Sequence, residues 1–158
     1  MAGFSHLNAS GEANMVDVSD KQETRREAMA EGFLHVSDEV ITAISDHKVI
    51  KGDVFAVARV AGIQGAKRCA DLIPLCHPLA LNKVDIDFEL QTDLKRIRTT
   101  CFCKVSGKTG VEMEALTGVN VALLTLFDMC KAADPLMEIN GMRVTQKAGG
   151  KHGSWQRA

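Results

Sequence analysis

Three groups of side chains in this chain carry types and spacings that could do chemistry. Asp128 and Lys131 stand three residues apart, so on a helix they share one face. Shielding by Phe127, Met129 and Ala132 would lower the lysine pKa, and the carboxylate would raise it again, giving a tunable acid or base. As a plain surface ion pair the same two residues would contribute under about 1 kcal/mol. His77 follows Cys76 between Pro74 and Pro78. Stiff backbone there presents an imidazole and a thiol for binding or proton transfer, unless the histidine only closes local hydrogen bonds. Glu112 and Glu114 open the segment that Asp128 and Lys131 close. Acids at the start of a helix and a lysine at its end also suit the helix dipole. Lys51, ahead of Gly52 and Asp53, reads by itself as solvated, while Lys147 and Lys151 near the C-terminus could neutralise a phosphorylated substrate as the tail closes, or simply keep the tail soluble.

Two other motifs fail. Gly107-Lys108-Thr109 resembles the end of a phosphate loop, but that pattern needs a glycine where Phe102 stands. An anion could still use the free N–H groups of the helix beginning nearby. A metal site would have to recruit Cys69, Cys76, His77, Cys101 and Cys103, whose spacings match no zinc pattern, so no metal is assigned.

Elements must hold these groups in place. From Ala115 to Phe127 no residue ionises, while Leu116, Val119, Leu123, Leu124 and Phe127 recur at helical steps, which predicts a long, largely covered helix. Its two reactive ends, Glu114 and Lys131, would lie roughly 25 Å apart at the usual rise per residue. No ordinary metabolite spans that distance in one chain, so the ends serve two sites, or a second copy brings its start to this copy's finish. The second alternative predicts a homo-oligomer. Upstream, Thr24 to Ser37 reads as a strand from its small and apolar alternation, and Ser37 or Asp38 caps a short helix to Ile44. A longer helix opens at Gly52-Asp53, with Val54, Val57, Ala58, Ala61, Gly65 and Ala66 on one face and room for close packing. Val84, Ile86, Phe88 and Leu90 alternate with acids, and Ile97, Thr99, Cys101, Cys103 and Val105 alternate with bases, which predicts a hairpin with opposed charges. Ile139 to Lys147 reads as a last strand, with Asn140-Gly141 an alternative turn. This is an α+β domain, an antiparallel sheet layered with helices, spanning residues 1–158 as one unit. Residues 1–14 read as a flexible arm and 148–158 as a glycine-rich flap.

Composition narrows the class. The 158 residues are 46% hydrophobic and 25% charged with a net charge of -1, which suits a globular domain and gives no reason to expect nucleic acid or a membrane surface as partner. No apolar run reads as membrane-spanning, and the N-terminus lacks signal-peptide features. With five cysteines as reduced thiols, the expectation is a cytoplasmic protein.

The segments LIPLCHPL (Leu72 to Leu79), KTGVEMEALTG (Lys108 to Gly118) and DMCKA (Asp128 to Ala132), with Asn14 to Val18, Lys51 to Val54 and Gly149-Gly150-Lys151, resemble the cyclic pyranopterin monophosphate synthase family of molybdenum cofactor biosynthesis. The resemblance runs in unbroken register from about the fifth residue to the flap. It implies a ferredoxin-like fold and a homohexamer, a trimer of dimers with sites where subunits meet. It implies a lyase whose small-molecule substrate is a cyclised dihydro-GTP, converted to cyclic pyranopterin monophosphate with loss of pyrophosphate. Carried over by position, Leu75, Cys76, His77, Glu112, Met113, Glu114 and Lys147 bind substrate, while Asp128, Lys131 and Lys51 carry the catalysis. No cofactor is required by the sequence, and magnesium accompanying the triphosphate is left open. A nucleotide-binding module without turnover and a purely structural assembly domain are the rival classes. Neither accounts for ionisable residues gathered at both ends of one covered helix.

Overall fold

A computed structural model describes residues 3–47 and 53–158. The elements run β1 (Thr24–His35), α1 (Asp38–Ser45), α2 (Val54–Lys67), α3 (Cys69–Leu72), β2 (Lys83–Gln91), β3 (Arg96–Gly107), α4 (Glu112–Cys130), β4 (Glu138–Ala148) and β5 (Trp155–Gln156). The strands form one antiparallel sheet in the order β2-β3-β1-β4-β5. Without the short β5, the β-α-β-β-α-β succession and the order 4-1-3-2 are those of a ferredoxin-like α+β fold.

Period-2 burial builds the sheet. In β1, Ala28, Ala30 and Leu34 are fully buried toward the helices, as are Ile97, Cys101 and Cys103 of β3. The core closes with Val119, Ala122, Leu123 and Leu126 of α4. Ser37 accepts the Val40 amide as the cap of α1, and Asp53 accepts the Ala56 amide at 3.1 Å as the cap of α2. α2 lies close on α4: a Cβ placed at Gly62 would sit 2.9 Å from the Gly118 carbonyl oxygen. The small residues of α2 thus allow the close approach their composition suggested. Within β4, Gly141 takes φ 65° where the pairing with β1 shifts register, so Asn140-Gly141 forms a bulge inside a continuous strand rather than a turn between two.

Several expectations need correction. In the hairpin only Glu89 faces a base, Arg98; Asp87 faces Thr100, Asp85 faces Phe102, and Lys83 faces Lys104. Arg98 turns instead to Glu31 at 2.9 Å, and Arg143 reaches the same carboxylate at 2.8 Å. Burial pushes the Glu31 pKa up, but the two guanidinium groups prevail and hold it below its ordinary value. Leu124 and Val57 point outward, 52% and 46% exposed, because the buried stripes run through Leu123 and Ala58 beside them. α4 is long and apolar enough, by length and composition, to cross a membrane, against the expectation of no such run. In this fold it is the core helix packed on β1, β3 and α2.

Residues 7–14 form a local turn, and the C-terminal segment returns to the sheet. Leu7 bridges Ala13, and the Asn8 side chain accepts the Ser10 and Glu12 amides. Beyond Gly149 and Gly150 the tail doubles back, and Trp155 and Gln156 pair with Lys147 and Gln146.

Candidate active site

Two rigid pieces of backbone meet at the start of α4. After α3 the chain cannot stay helical before Pro74, and the Cys76 amide closes a turn onto the Ile73 carbonyl. This presents Leu75, Cys76 and His77 toward the first turn of α4, whose cap residue Val111 offers no side-chain acceptor. Between them lies a cleft of about 230 Å³. Leu75, Cys76, His77, Glu112, Met113 and Glu114 all line it, which is six of the seven residues expected to bind substrate. Lys147, the seventh, joins from β4: its ammonium stands 3.0 Å from Glu112 Oε1, a charge contact without hydrogen-bond alignment.

Segment 16–21 closes one side of the cleft. The Val16 carbonyl accepts from His77 Nε2 at 2.6 Å. A carbonyl can only accept, so Nε2 is the donor in this contact. Lys108 donates to the Ser19 carbonyl, and the Ser19 hydroxyl and amide hold the Asp17 carboxyl below its ordinary pKa. Ser5, His6, Val16, Val18 and Lys21 line the cleft too, with Thr109 and Gly110. Sequence reasoning gave these no role. Their polar, aperiodic stretch carries no packing signal, although Asn14 to Val18 already stood among the motifs of the resemblance.

Electrostatics separate the two acids at the head of α4. Glu114 is 4% exposed, and its Oε2 has no hydrogen-bond partner among the described residues. Burial, with a smaller push from the Glu112 charge, raises its pKa to about 7 against a weaker pull from its own amide. Burial likewise pushes up the Cys76 thiol. The cleft therefore offers an acid that titrates near neutrality, an imidazole and a carboxylate–ammonium pair, a set suited to a polar heterocycle undergoing proton transfers.

At the other end of α4, Lys131 donates to Asp128 Oδ1 at 2.7 Å. The two side chains are 54% and 56% exposed, so the expected shielding is absent in the single chain. Met129 and Cys130 are buried, but on the core side of the helix. The pair stands apart from the cleft, at the far end of the helix. Lys51 lies outside the described residues. A second hollow, of about 360 Å³, lies under the tail around Glu27, Ser154 and Trp155 and, among the described residues, shares only Lys147 with the expected site.

Comparison with known proteins gives two findings. The model of the MoaC family matches residues 15–150. Among solved structures, a mutant of the ferredoxin protease FusC in complex with Arabidopsis ferredoxin matches at 16% identity and a TM-score of 0.34. That match covers 64% of this chain, which spans about 9% of the length of the other.

Proposed function

Because the chain belongs to the MoaC family, the cyclic pyranopterin monophosphate synthase family, and is thereby an enzyme of molybdenum cofactor biosynthesis, we propose that it converts a cyclised dihydro-GTP to cyclic pyranopterin monophosphate and pyrophosphate. This is lyase chemistry, acting in the cytoplasm. The observation that carries the reading is the cleft, where the stiff Leu75–His77 loop meets Glu112, Met113 and a nearly buried Glu114.

Opening an imidazole ring by hydrolysis and rebuilding it as a pterin needs several proton transfers, hence acids and bases titrating near neutral pH. Closing a cyclic phosphate with loss of pyrophosphate needs positive charge on the leaving group and in-line positioning. In this reading the cleft binds the purine-derived part, and Lys147, freed from Glu112, turns to the triphosphate. Lys131, tuned by Asp128, is the principal acid–base group, with Lys51 as its partner or charge clamp. The enzyme needs no resident cofactor; magnesium, where present, arrives with the triphosphate. The tail of α4 in one copy completes the cleft at the head of α4 in another, within a homohexamer.

The test is pyrophosphate release from the cyclised substrate by single variants and by their mixture. Lys131→Ala and His77→Ala are each expected to lose about 10²- to 10⁴-fold in rate. Unfolded together and reassembled at equal amounts, they regain about a quarter of wild-type activity, since a mixed pair holds one intact site of two. A Lys131→Ala protein turning over at a near-normal rate ends the catalytic assignment. Recovery of nothing from the mixture ends the shared site.

A further inference from the structure

We propose that Glu114 is a proton relay between two cavities, drawing protons from a small chamber behind it and delivering them to the substrate in the front cleft. The proposal rests on the reaction assigned above and gives one residue, so far only a binding group, a second role.

The geometry points to it from both sides. Glu114 lines the front cleft and also a chamber of about 100 Å³ beside Pro78; among the described residues it is the one these two hollows share. The chamber is bounded by Lys67, Arg68, Cys69, Ala70, Asp71 and Pro78. Lys67, Arg68 and Asp71 are exposed, so it opens to solvent and has room for a short chain of waters. A carboxyl that is 4% exposed, with an Oε2 that has no partner among the described residues, is costly to the fold when ionised.

Its surroundings set when that proton is present. Glu112 is the charged neighbour on its own helix, and Cys69, Cys76 and the β3 thiol of Cys103 are close enough to sense the Glu114 charge. His6, Lys21 and His77 face the front cleft, while Lys67, Arg68 and Asp71 edge the rear chamber. Burial dominates and holds the carboxyl near half-protonation at neutral pH. In the step itself a water has added to the ring carbon. As this adduct collapses to a carbonyl and releases its hydroxyl proton to solvent, the C–N bond breaks, its electron pair stays on nitrogen, and that nitrogen takes the proton from Oε2. The carboxylate then takes a proton from a chamber water, which solvent resupplies. One water is consumed in the opening, and no oxidant or reductant is needed.

The experiment compares wild type, Glu114→Gln and Ala70→Leu, with Ala70→Val as a milder filling of the same chamber. Ala70 lines the chamber but not the front cleft, and is half-buried. Infrared difference spectra need no turnover: a protonated carboxyl band is expected at about pH 6, lost by about pH 8 and missing in Glu114→Gln. In the pyrophosphate assay, Glu114→Gln should lose about 10²- to 10⁴-fold in kcat. The Ala70 variants should keep the infrared band and the KM but lose kcat, which added imidazole restores by carrying protons through the front. An Ala70 variant with unchanged kcat, or a carboxyl already ionised at about pH 6, overturns the relay. A wild type that releases no pyrophosphate overturns the reaction assigned to the family site, and the relay falls with it.

Discussion

Glu114→Gln also isolates what a buried carboxyl does to the stability of the fold. The folded pKa, about 7, lies above the ordinary 4.5, so the unfolded chain ionises first as pH rises. Stability tied to the neutral acid is fully present below about pH 4.5 and is lost as pH climbs to about 7. From 4.5 to about 7, at about 1.36 kcal/mol for each tenfold step in acidity, the loss is about 3 kcal/mol. With the side chain 4% exposed, solvent screening removes little of it. Glutamine keeps the shape and cannot titrate, so any fixed effect of its amide leaves the slope untouched. Urea unfolding of both proteins, at one protein concentration and from about pH 4.5 to about pH 8, should give curves that diverge by about 3 kcal/mol in favour of the variant. For a domain of this size that corresponds to about 6–12 °C in Tm. Parallel curves would refute the reasoning, because they would mean that folded Glu114 ionises as an ordinary acid with its Oε2 satisfied.

Two further outcomes follow from packing and exposure. Gly62→Ala should destabilise by about 1–3 kcal/mol in urea unfolding, because its Cβ meets Ile86 and stands 2.9 Å from the Gly118 carbonyl, which cannot swing aside. Iodoacetamide should label only Cys76 in the native protein and all five cysteines in denaturant, as counted by mass spectrometry, since Cys69, Cys101, Cys103 and Cys130 are buried. Labelling should be slow, because burial holds the Cys76 thiol above its ordinary pKa, and pyrophosphate release should fall as it proceeds.

Local pattern was legible wherever one residue's neighbours in sequence decide its place. Strand alternation in β2 and β3, the caps Ser37 and Asp53, the break at Pro74 and the length of α4 are of that kind. Partners across the sheet are not. Alternation says which face Arg98 occupies, but its ion pair with Glu31 depends on β1 lying between β3 and β4, a fact of topology rather than of spacing. The same holds at the site. Two prolines announce the Leu75–His77 loop, and the helix start announces Glu112 to Glu114. The lining by His6 and Lys21 comes from a polar arm whose position only the folded chain defines. Spacing placed Asp128 beside Lys131 correctly, yet burial of the neighbours said nothing about the pair, which sits on the opposite side of the helix from the core.

That exposure bears on how the proposed enzyme divides its labour. At the head of α4 the fold itself supplies desolvation, and Glu114 acquires a near-neutral pKa inside one chain. At the tail it does not: the Asp128–Lys131 ion pair stands more than half open to water. A second copy laid head to tail would remove that water from Asp128 and Lys131 in the same contact that brings them to a cleft. Under the proposed assembly, then, the tail becomes an acid–base centre only when a head covers it. Free chains would hold the heterocycle without processing it, a safeguard suited to an enzyme that must open a ring and close it again before releasing anything.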